Sequence, residues 1–263
     1  MVRLKVVSFN IRYVYNDSLD KCNDFVHRAA MILDKIEAEA PDIIGFQEAA
    51  PQIKAFLTKY LKGYSIYGMH KNDNSGVAIA VNNNTMELLG LEGFWLSPTP
   101  YVKNSRHENQ SHCARSCVTA LVKHNDIETP IRVYDVHLDH WPQCEDTRVL
   151  EIKQVLERMV EDRKKFVCPA VLMGDFNSRP DAAASQFCAN YEQIKLVDVT
   201  KHLSGSYHGF KNPTDKDFMS KIDYIYWDEE TAKKIENVHY WTDEKDGIFL
   251  SDHYPVSCEF DLE

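Results

Sequence analysis

The stretch Ala170-Val171-Leu172-Met173-Gly174-Asp175-Phe176-Asn177 decides how this chain folds. Its first four residues are apolar without alternation, which is typical of a strand covered on both faces. Two polar residues, Asp175 and Asn177, then follow Gly174. Turn chemistry alone does not account for the order of acid, aromatic and amide. The stretch therefore predicts a buried strand that ends in polar groups at the rim of a sheet.

The same pattern recurs at four other places in the chain. Asn10 follows the apolar run Val6-Val7-Ser8-Phe9, and Gln47-Glu48 follows Ile43-Ile44-Gly45-Phe46. Asp223 stands near the head of a strand predicted over 222–227, and Asp252-His253 precedes a strand predicted over 254–260. If the late strands run antiparallel to the early ones, all five polar segments meet on one rim.

Such a meeting would gather the carboxylates of Glu48, Asp175, Asp223 and Asp252, with few lysines or arginines beside them in the sequence. An unpaired buried amide costs about 1–3 kcal/mol and an uncompensated carboxylate costs more, so the cluster needs a compensating charge. Mg²⁺ takes one or two carboxylates, keeps several waters and leaves positions open for phosphate oxygens. The residues therefore predict a divalent-metal site suited to phosphoester chemistry.

Hydrophobic periodicity predicts more strands than helices around this rim. Helices are predicted over 22–39, 51–61, 145–164 and near 181–188, and strands over 2–11, 42–47, 64–67, 76–81, 86–94, 116–123, 131–138, 170–173, 222–227, 236–241 and 254–260. Residues 97–115 and 203–220 show neither period and are predicted to be irregular. This pattern predicts a layered α/β sandwich with mixed sheets, and the absence of repeats or linkers predicts a single domain over 1–263.

The net charge limits which binding partners are expected, and the cysteines indicate the cellular compartment. Thirty Lys plus Arg against forty Asp plus Glu leave a net charge of −10, which opposes non-specific binding to a polyanion, so any nucleic-acid contact must be local. The seven cysteines are scattered without a C-x-x-C pair, which indicates reduced thiols in the cytoplasm. The apolar run over 1–11 is too short for a signal-peptide core, and no stretch approaches membrane-spanning length. We expect a cytoplasmic monomer without a membrane partner.

Six strings, taken in order, resemble those of the endonuclease/exonuclease/phosphatase superfamily, which has the deoxyribonuclease-I-like fold. They are Ser8-Phe9-Asn10-Ile11-Arg12, Gly45-Phe46-Gln47-Glu48, His137-Leu138-Asp139, Gly174-Asp175-Phe176-Asn177, Lys221-Ile222-Asp223-Tyr224-Ile225 and Ser251-Asp252-His253-Tyr254-Pro255-Val256. Any one of them is a weak signal, but six in order across nearly the whole chain form a specific one. The resemblance implies a four-layered α/β/β/α sandwich and hydrolysis of a phosphodiester or phosphomonoester with Mg²⁺ or Mn²⁺.

The resemblance also implies a role for each matching residue. Glu48 would be the metal ligand, helped by Asn10 and Asp252. Asp175 would orient or deprotonate the attacking water, or hold a second metal, and Asn177 would donate to a phosphate oxygen.

The remaining matches concern the histidines and one arginine. Asp223 would hydrogen-bond His253, fixing its tautomer and favouring its charged form beside the phosphate. His137 would contact the phosphate or protonate the leaving group, and Arg115 would clamp the phosphate.

Within the superfamily the chain resembles a bacterial subgroup whose strings would build the rim around the metal. These strings are Phe94-Trp95-Leu96-Ser97-Pro98-Thr99-Pro100, His137-Leu138-Asp139-His140 and Gly205-Ser206-Tyr207-His208-Gly209-Phe210. Trp95, Tyr101, His208 and Phe210 could stack on a ring or base of the substrate. The natural substrate does not follow from this resemblance.

Structural interpretations compete with several of these roles. Asn10 alone could bond a neighbouring loop, Asp252-His253 could cap a turn, and Arg115 could be a surface cation. The four tryptophans, Trp95, Trp141, Trp227 and Trp241, are by default core or interface residues. A structural zinc site at His137, Asp139 and His140 is disfavoured because strand alternation separates the two histidines.

Three functions are compatible with the sequence. The first is a metal-dependent phosphodiesterase acting on nucleic acid or a nucleotide-like diester. The second is a phosphatase or phosphodiesterase acting on a small sugar-, inositol- or lipid-derived phosphate, which the absence of a basic stripe favours. The third, a non-catalytic binding module, is disfavoured because every expected polar position is filled.

Overall fold

The computed structural model describes residues 3–14, 22–69, 76–211 and 219–261. It contains two six-stranded sheets and a two-stranded ribbon. The first sheet consists of β1 (Arg3–Asn10), β2 (Ile43–Gln47), β3 (Tyr64–Gly68), β4 (Ala78–Asn82), β11 (Ile235–Tyr240) and β14 (Val256–Asp261), in the order β11-β14-β1-β2-β4-β3.

The second sheet consists of β5 (Met86–Trp95), β6 (Ser116–His124), β7 (Ile131–His137), β8 (Ala170–Asp175), β9 (Leu196–Asp198) and β10 (Asp223–Asp228), in the order β5-β6-β7-β8-β10-β9. The pairs β1–β2 and β7–β8 are parallel, and the other pairs are antiparallel. Both sheets are therefore mixed, as predicted. The ribbon pairs β12 (Glu244–Lys245) with β13 (Ile248–Phe249).

Helices cover the outer face of each sheet. The helices α1 (Phe25–Glu39) and α2 (Pro51–Tyr60) pack on the first sheet, where Ile36 and Leu57 share a core with Phe9. The helices α3 (Glu145–Lys165) and α4 (Ala183–Ala189) pack on the second sheet. A third core lies between the two sheets. The layers therefore run α/β/β/α, which confirms the predicted architecture.

Strand β8 shows why its sequence is apolar without alternation. Val171 and Met173 belong to the core between the sheets, whereas Leu172 belongs to the core beneath α3 and α4. Burying each such side chain contributes roughly 1.5–3 kcal/mol, so both faces of the strand favour apolar residues. Gly45 of β2 lets the two sheets approach, because a Cβ there would lie 2.6 Å from the Met173 Cε.

The register of the strands gathers the polar segments on one rim. Strand β14 runs antiparallel to β1, and β10 runs antiparallel to β8 with Asp223 directly opposite Asp175. His137, at the end of β7, is the parallel partner of Asp175. The late strands β14 and β10 therefore run antiparallel to β1 and β8, which is the arrangement that brings the polar segments to one rim.

The remaining differences from the predicted elements are small. The predicted strands and long helices are present with bounds shifted by a few residues, but the short elements β9, β12, β13 and α5 (Glu229–Ala232) were not predicted. Residues 97–115 hold no helix or strand, as predicted, and part of the predicted irregular stretch 203–220 lies outside the described residues. All seven cysteines are free. In the described ranges, every helix is too short or too polar to cross a bilayer.

Candidate active site

His253 and Asp223 form the most closely coupled pair on this rim. The Nδ1 of His253 lies 2.8 Å from the Oδ2 of Asp223, and both side chains are buried. Because an ionised carboxylate only accepts hydrogen bonds, Nδ1 carries the proton. Burial alone would lower the pKa of His253, but the carboxylates of Asp223, Asp175 and Asp252 outweigh it and raise this pKa to about 10. The imidazole is therefore charged at neutral pH.

Asp175 lies on the other side of the same imidazole. Its Oδ2 accepts a 2.9 Å hydrogen bond from the Asn10 amide and lies 3.5 Å from the His137 Nε2 and 3.9 Å from the His253 Nε2. Burial, followed by the charge of Asp223, raises the pKa of Asp175 to about 7. One ligand atom from each of Asp175, Asp223 and His253 lies within 4.8 Å of the others.

Glu48 reaches the site from a left-handed backbone position, with a φ of 59°. Its Oε2 accepts a 2.6 Å hydrogen bond from the Tyr13 backbone, and its Oε1 lies 3.4 Å from the Asn10 Nδ2. Gly76 packs on this turn so closely that a Cβ there would lie 2.9 Å from the Glu48 Cα. The carboxylate is therefore positioned by the segment after β1 and by a glycine.

Asp252 is held by the same segment. Its carboxylate accepts hydrogen bonds from the Arg12 guanidinium and from the Ser251 hydroxyl. The Arg12 backbone N–H donates to the Asn10 Oδ1 at 3.0 Å. Glu48 and Asp252 thus lie on one rim, both bound by residues 12–13. Asp252 contacts Arg12 instead of joining Asp175 and Asp223, so its predicted role as a metal ligand stays a prediction.

The donor set of this rim fits a hard divalent cation. Asp175 and Asp223 are both buried, and burial followed by the charge of Asp223 raises the pKa of Asp175, so a cation beside these carboxylates would stabilise them. Glu48 and Asp175 both reach the Asn10 amide nitrogen, so their oxygens converge on one point. Carboxylate oxygens are among the ligands that Mg²⁺ and Mn²⁺ prefer, and here they come from Glu48 and Asp175.

Arg115 and His137 form the part of the site suited to an anion. Arg115 is buried, and its Nη2 donates to the His140 Nδ1 at 2.9 Å. Within the described ranges, the Arg115 Nε and the His137 Nδ1 are buried without a hydrogen-bond partner. Burial, followed by the charge of Arg115, lowers the pKa of His137, so its imidazole is neutral. Buried polar atoms without partners indicate a place for a ligand such as phosphate.

Asn177 lies beside this group in a left-handed conformation, with a φ of 47°. Its backbone N–H donates to Asp175, and its Nδ2 donates to the Leu138 carbonyl at 3.1 Å. One amide hydrogen therefore positions the segment after β7, and the predicted donation to a phosphate oxygen would use the other.

Two of the predicted stacking residues are closed to a ligand, which corrects the sequence-based expectation. Trp95 is only 1% exposed, and the ring of His208 is buried with its centroid 4.4 Å from that of Tyr254. Trp95 is the last residue of β5 and His208 lies in the segment between β9 and β10, and the surrounding chain encloses both rings. Phe210 is half-buried beneath the Arg12 guanidinium, which lies 4.8 Å from its ring centre, and Tyr101 is exposed. The stacking roles of Phe210 and Tyr101 stay predictions.

Two residues of the site were missed in the sequence. Arg12 binds Asp252, and the ring of Tyr207 lies 4.9 Å from that of His253. Arg12 and Tyr207 both lie in motifs that resemble those of the family, close in sequence to residues with an assigned role. That closeness was the one signal that could have identified them as site residues. Their roles depend on side-chain directions that strand periodicity does not provide.

Comparison with known proteins identifies the family of this chain and agrees with its fold. The sequence model of the endonuclease/exonuclease/phosphatase family matches residues 7–253, so the chain belongs to that family. The chain is 25% identical over 215 residues to carbon catabolite repressor protein 4 homolog 3 of Arabidopsis thaliana, covering 77% of this chain and 46% of that protein. It therefore spans less than half of that relative's length.

Solved structures share the fold over nearly their whole length. An endonuclease/exonuclease/phosphatase from Bacteroides vulgatus superposes with a TM-score of 0.86 at 22% identity, covering 100% of both chains. A mannosyl-6-phosphatase from Bacteroides thetaiotaomicron superposes with a TM-score of 0.82 at 22% identity, covering 98% of this chain and 100% of the other. Members of the family are phosphoesterases, among them nucleases and phosphatases, and they commonly use divalent metals.

Proposed function

We propose that this chain is a phosphoesterase that depends on Mg²⁺ or Mn²⁺ and hydrolyses its substrate by attack of water on phosphorus. The observation that carries the proposal is the position of His253, whose two ring nitrogens face the carboxylates of Asp223 and Asp175. The Glu48 Oε1 lies beside this group, 3.4 Å from the Asn10 Nδ2. Glu48, with Asn10 and Asp252, would hold the metal, and the bound cation would supply Lewis acidity toward the phosphate.

The side chains of the site have distinct tasks in this proposal. Asp223 holds the Nδ1–H of His253, which keeps the imidazolium beside the phosphate oxygens and stabilises their charge in the transition state. Asp175, whose pKa is raised toward neutrality by burial and by Asp223, is suited to orient the attacking water and accept its proton. Arg115 donates to the phosphate, and the neutral imidazole of His137 contacts the phosphate.

A phosphodiester of the nucleic-acid or nucleotide type is the first candidate substrate, from the ordered motifs of the family. A small sugar-, inositol- or lipid-derived phosphate is the second candidate. Two observations favour the second: the net charge of −10 and the likeness in fold to a mannosyl-6-phosphatase.

Turnover of chromogenic substrates tests the chemistry. We expect the purified protein to hydrolyse bis(p-nitrophenyl) phosphate or p-nitrophenyl phosphate with Mg²⁺ or Mn²⁺ and to lose this activity in EDTA. His253→Ala should lower kcat by roughly 10²–10⁴-fold, because it removes the charged imidazole. His27→Ala, at an exposed position of α1, is the matched control and should leave the rate unchanged. Absence of turnover with either metal would contradict the proposal.

A substrate panel separates the two candidates. A hexose 6-phosphate, glycerol 3-phosphate and a single-stranded oligonucleotide are compared by kcat/KM at two salt concentrations. A small-phosphate enzyme should prefer the monoesters. Preference for the oligonucleotide, together with a steep salt dependence, would favour the diester instead.

A further inference from the structure

We propose that His112, His140 and Trp141 form a binding platform for the sugar ring of a phosphorylated sugar, beside the phosphate-binding part of the site. This inference rests on the proposed phosphoesterase function and adds the substrate class to it. The ring centroids lie 6.0 Å apart for His112–His140, 6.0 Å for His112–Trp141 and 6.3 Å for His140–Trp141. All three residues are exposed, so the ring platform is open to solvent.

The ring platform is joined directly to the phosphate-binding residues. Arg115 donates to the His140 Nδ1 at 2.9 Å. The backbone N–H of Leu138 donates to the Asp175 carbonyl at 2.9 Å, and the Leu138 carbonyl accepts from the Asn177 side-chain amide at 3.1 Å. His140 follows Leu138 by two residues. Two residues of chain span at most about 7 Å, so a ligand on the platform lies within a short reach of the site.

One buried carboxylate makes the ring platform rigid. The Oδ2 of Asp139 accepts the Ser111 N–H at 2.7 Å, and its Oδ1 accepts the Trp141 N–H at 2.9 Å. The loop that carries His112 and the loop that carries Trp141 are therefore bound to the same side chain. The Arg148 Nη1 also donates to the carbonyls of Asp139 and Trp141, both at 2.7 Å. A surface ordered in advance loses less conformational entropy when a ligand binds.

The chemistry of the three rings matches a sugar. A guanidinium only donates hydrogen bonds, so the His140 Nδ1 accepts from Arg115 and its neutral ring carries the proton on Nε2. That N–H can donate to a hydroxyl, and the indole of Trp141 can cover the apolar C–H face of the sugar ring. Single-stranded nucleic acid is bound by several aromatic rings along a basic groove, whereas this chain has a net charge of −10.

Tryptophan fluorescence gives a direct test, because Trp141 is 38% exposed and the other three tryptophans of the sequence are at most 2% exposed. Quenching by acrylamide therefore reports on Trp141. We expect mannose 6-phosphate and glucose 6-phosphate to lower the quenching constant about twofold or more, whereas glycerol 3-phosphate and inorganic phosphate should not. The wild type is measured in EDTA and His253→Ala in Mg²⁺, so that hydrolysis does not consume the ligand.

Kinetics of a variant give the second readout. Trp141→Ala should lower the preference for hexose 6-phosphate over glycerol 3-phosphate, as a ratio of kcat/KM, by about tenfold. Tyr60→Ala, which removes an exposed aromatic ring of α2, is the control and should leave both the preference and the quenching unchanged.

The outcomes separate this inference from the proposed function. Turnover of phosphate esters without protection of Trp141 by any hexose phosphate would overturn the ring platform and leave the phosphoesterase proposal standing. Protection without turnover of any substrate would support the platform and overturn the phosphoesterase. Stronger protection by uridine 5′-monophosphate than by the hexose phosphates would overturn the assignment to a sugar.

Discussion

Asp223 lies directly opposite Asp175 in the antiparallel register of β10 and β8, which places two buried carboxylates on either side of the His253 imidazole. Two carboxylates in one buried site raise the pKa of one of them and favour a cation between them. The pairing contributes to the raised pKa of His253, together with Asp252, and adds to burial in raising the pKa of Asp175.

Asp223→Asn should lower kcat by roughly 10²–10⁴-fold, because the amide replaces the charge that stabilises the imidazolium of His253. The pKa of His253 should fall, which a histidine titration followed by NMR would detect. Asp246→Asn is the matched control, because it removes the same negative charge at an exposed turn between β12 and β13. It should leave the rate unchanged. A normal rate in Asp223→Asn would remove this pair from the mechanism.

Glu48→Gln should raise the metal concentration needed for half-maximal activity by about tenfold or more, because a neutral amide is a weaker ligand for Mg²⁺ than a carboxylate. The measurement is a titration of activity with Mg²⁺ and with Mn²⁺. Glu87→Gln, at an exposed position of β5, serves as the control. Identical titrations for wild type and Glu48→Gln would contradict the assigned role of Glu48.

Gly174→Ala should destabilise the fold by about 3 kcal/mol or more. Gly174 has a φ of 143°, and a Cβ there would lie 2.0 Å from the Val136 carbonyl oxygen, a contact that neither β7 nor β8 can relieve. Gly247→Ala also faces a positive φ, of 80°, but nothing lies within 4 Å of its Cβ, so we expect a loss of about 1 kcal/mol. Urea denaturation compares the two, and equal losses would refute the steric explanation.

Glu39 should make stability depend on acid pH. The hydrogen bond from Lys5, at 2.8 Å, and that from Lys35, at 2.9 Å, outweigh burial and lower the folded-state pKa of Glu39 from 4.5 to about 2. A carboxyl with a lowered pKa contributes stability above its unfolded pKa and loses it as pH falls toward the folded value. The stability difference between wild type and Glu39→Gln should therefore shrink between about pH 4.5 and pH 2. A constant difference across that window would contradict this.

Arg115 should contribute to binding of the phosphate. Arg115→Met removes the buried guanidinium while keeping much of its volume, so inhibition by inorganic phosphate should weaken by about tenfold or more. Arg163→Met, at an exposed position of α3, is the matched control. Unchanged inhibition in Arg115→Met would indicate that Arg115 only holds His140 in place.

Much of the fold could be predicted from the sequence because local pattern and burial agree there. Apolar runs such as 170–173 identify strands covered on both faces, and the polar residues that follow them mark the rim. The three-residue strand β9 was missed because it is too short to show a period.

The site could be predicted only in part, because exposure depends on distant loops. Trp95 and Trp141 both lie beside strand ends or loops in the sequence, yet one is buried and the other is 38% exposed. The contact between Arg12 and Asp252 likewise depends on a left-handed turn at Arg12, with a φ of 62°, that no local pattern specifies.

Anomalous diffraction from crystals grown with Mn²⁺ and phosphate tests the central claim most directly. A manganese peak bonded to the Glu48 carboxylate, with phosphate oxygens between it and His253, is the predicted result. Density that places manganese away from Glu48 and Asp175, or phosphate away from His253, would contradict the proposed site.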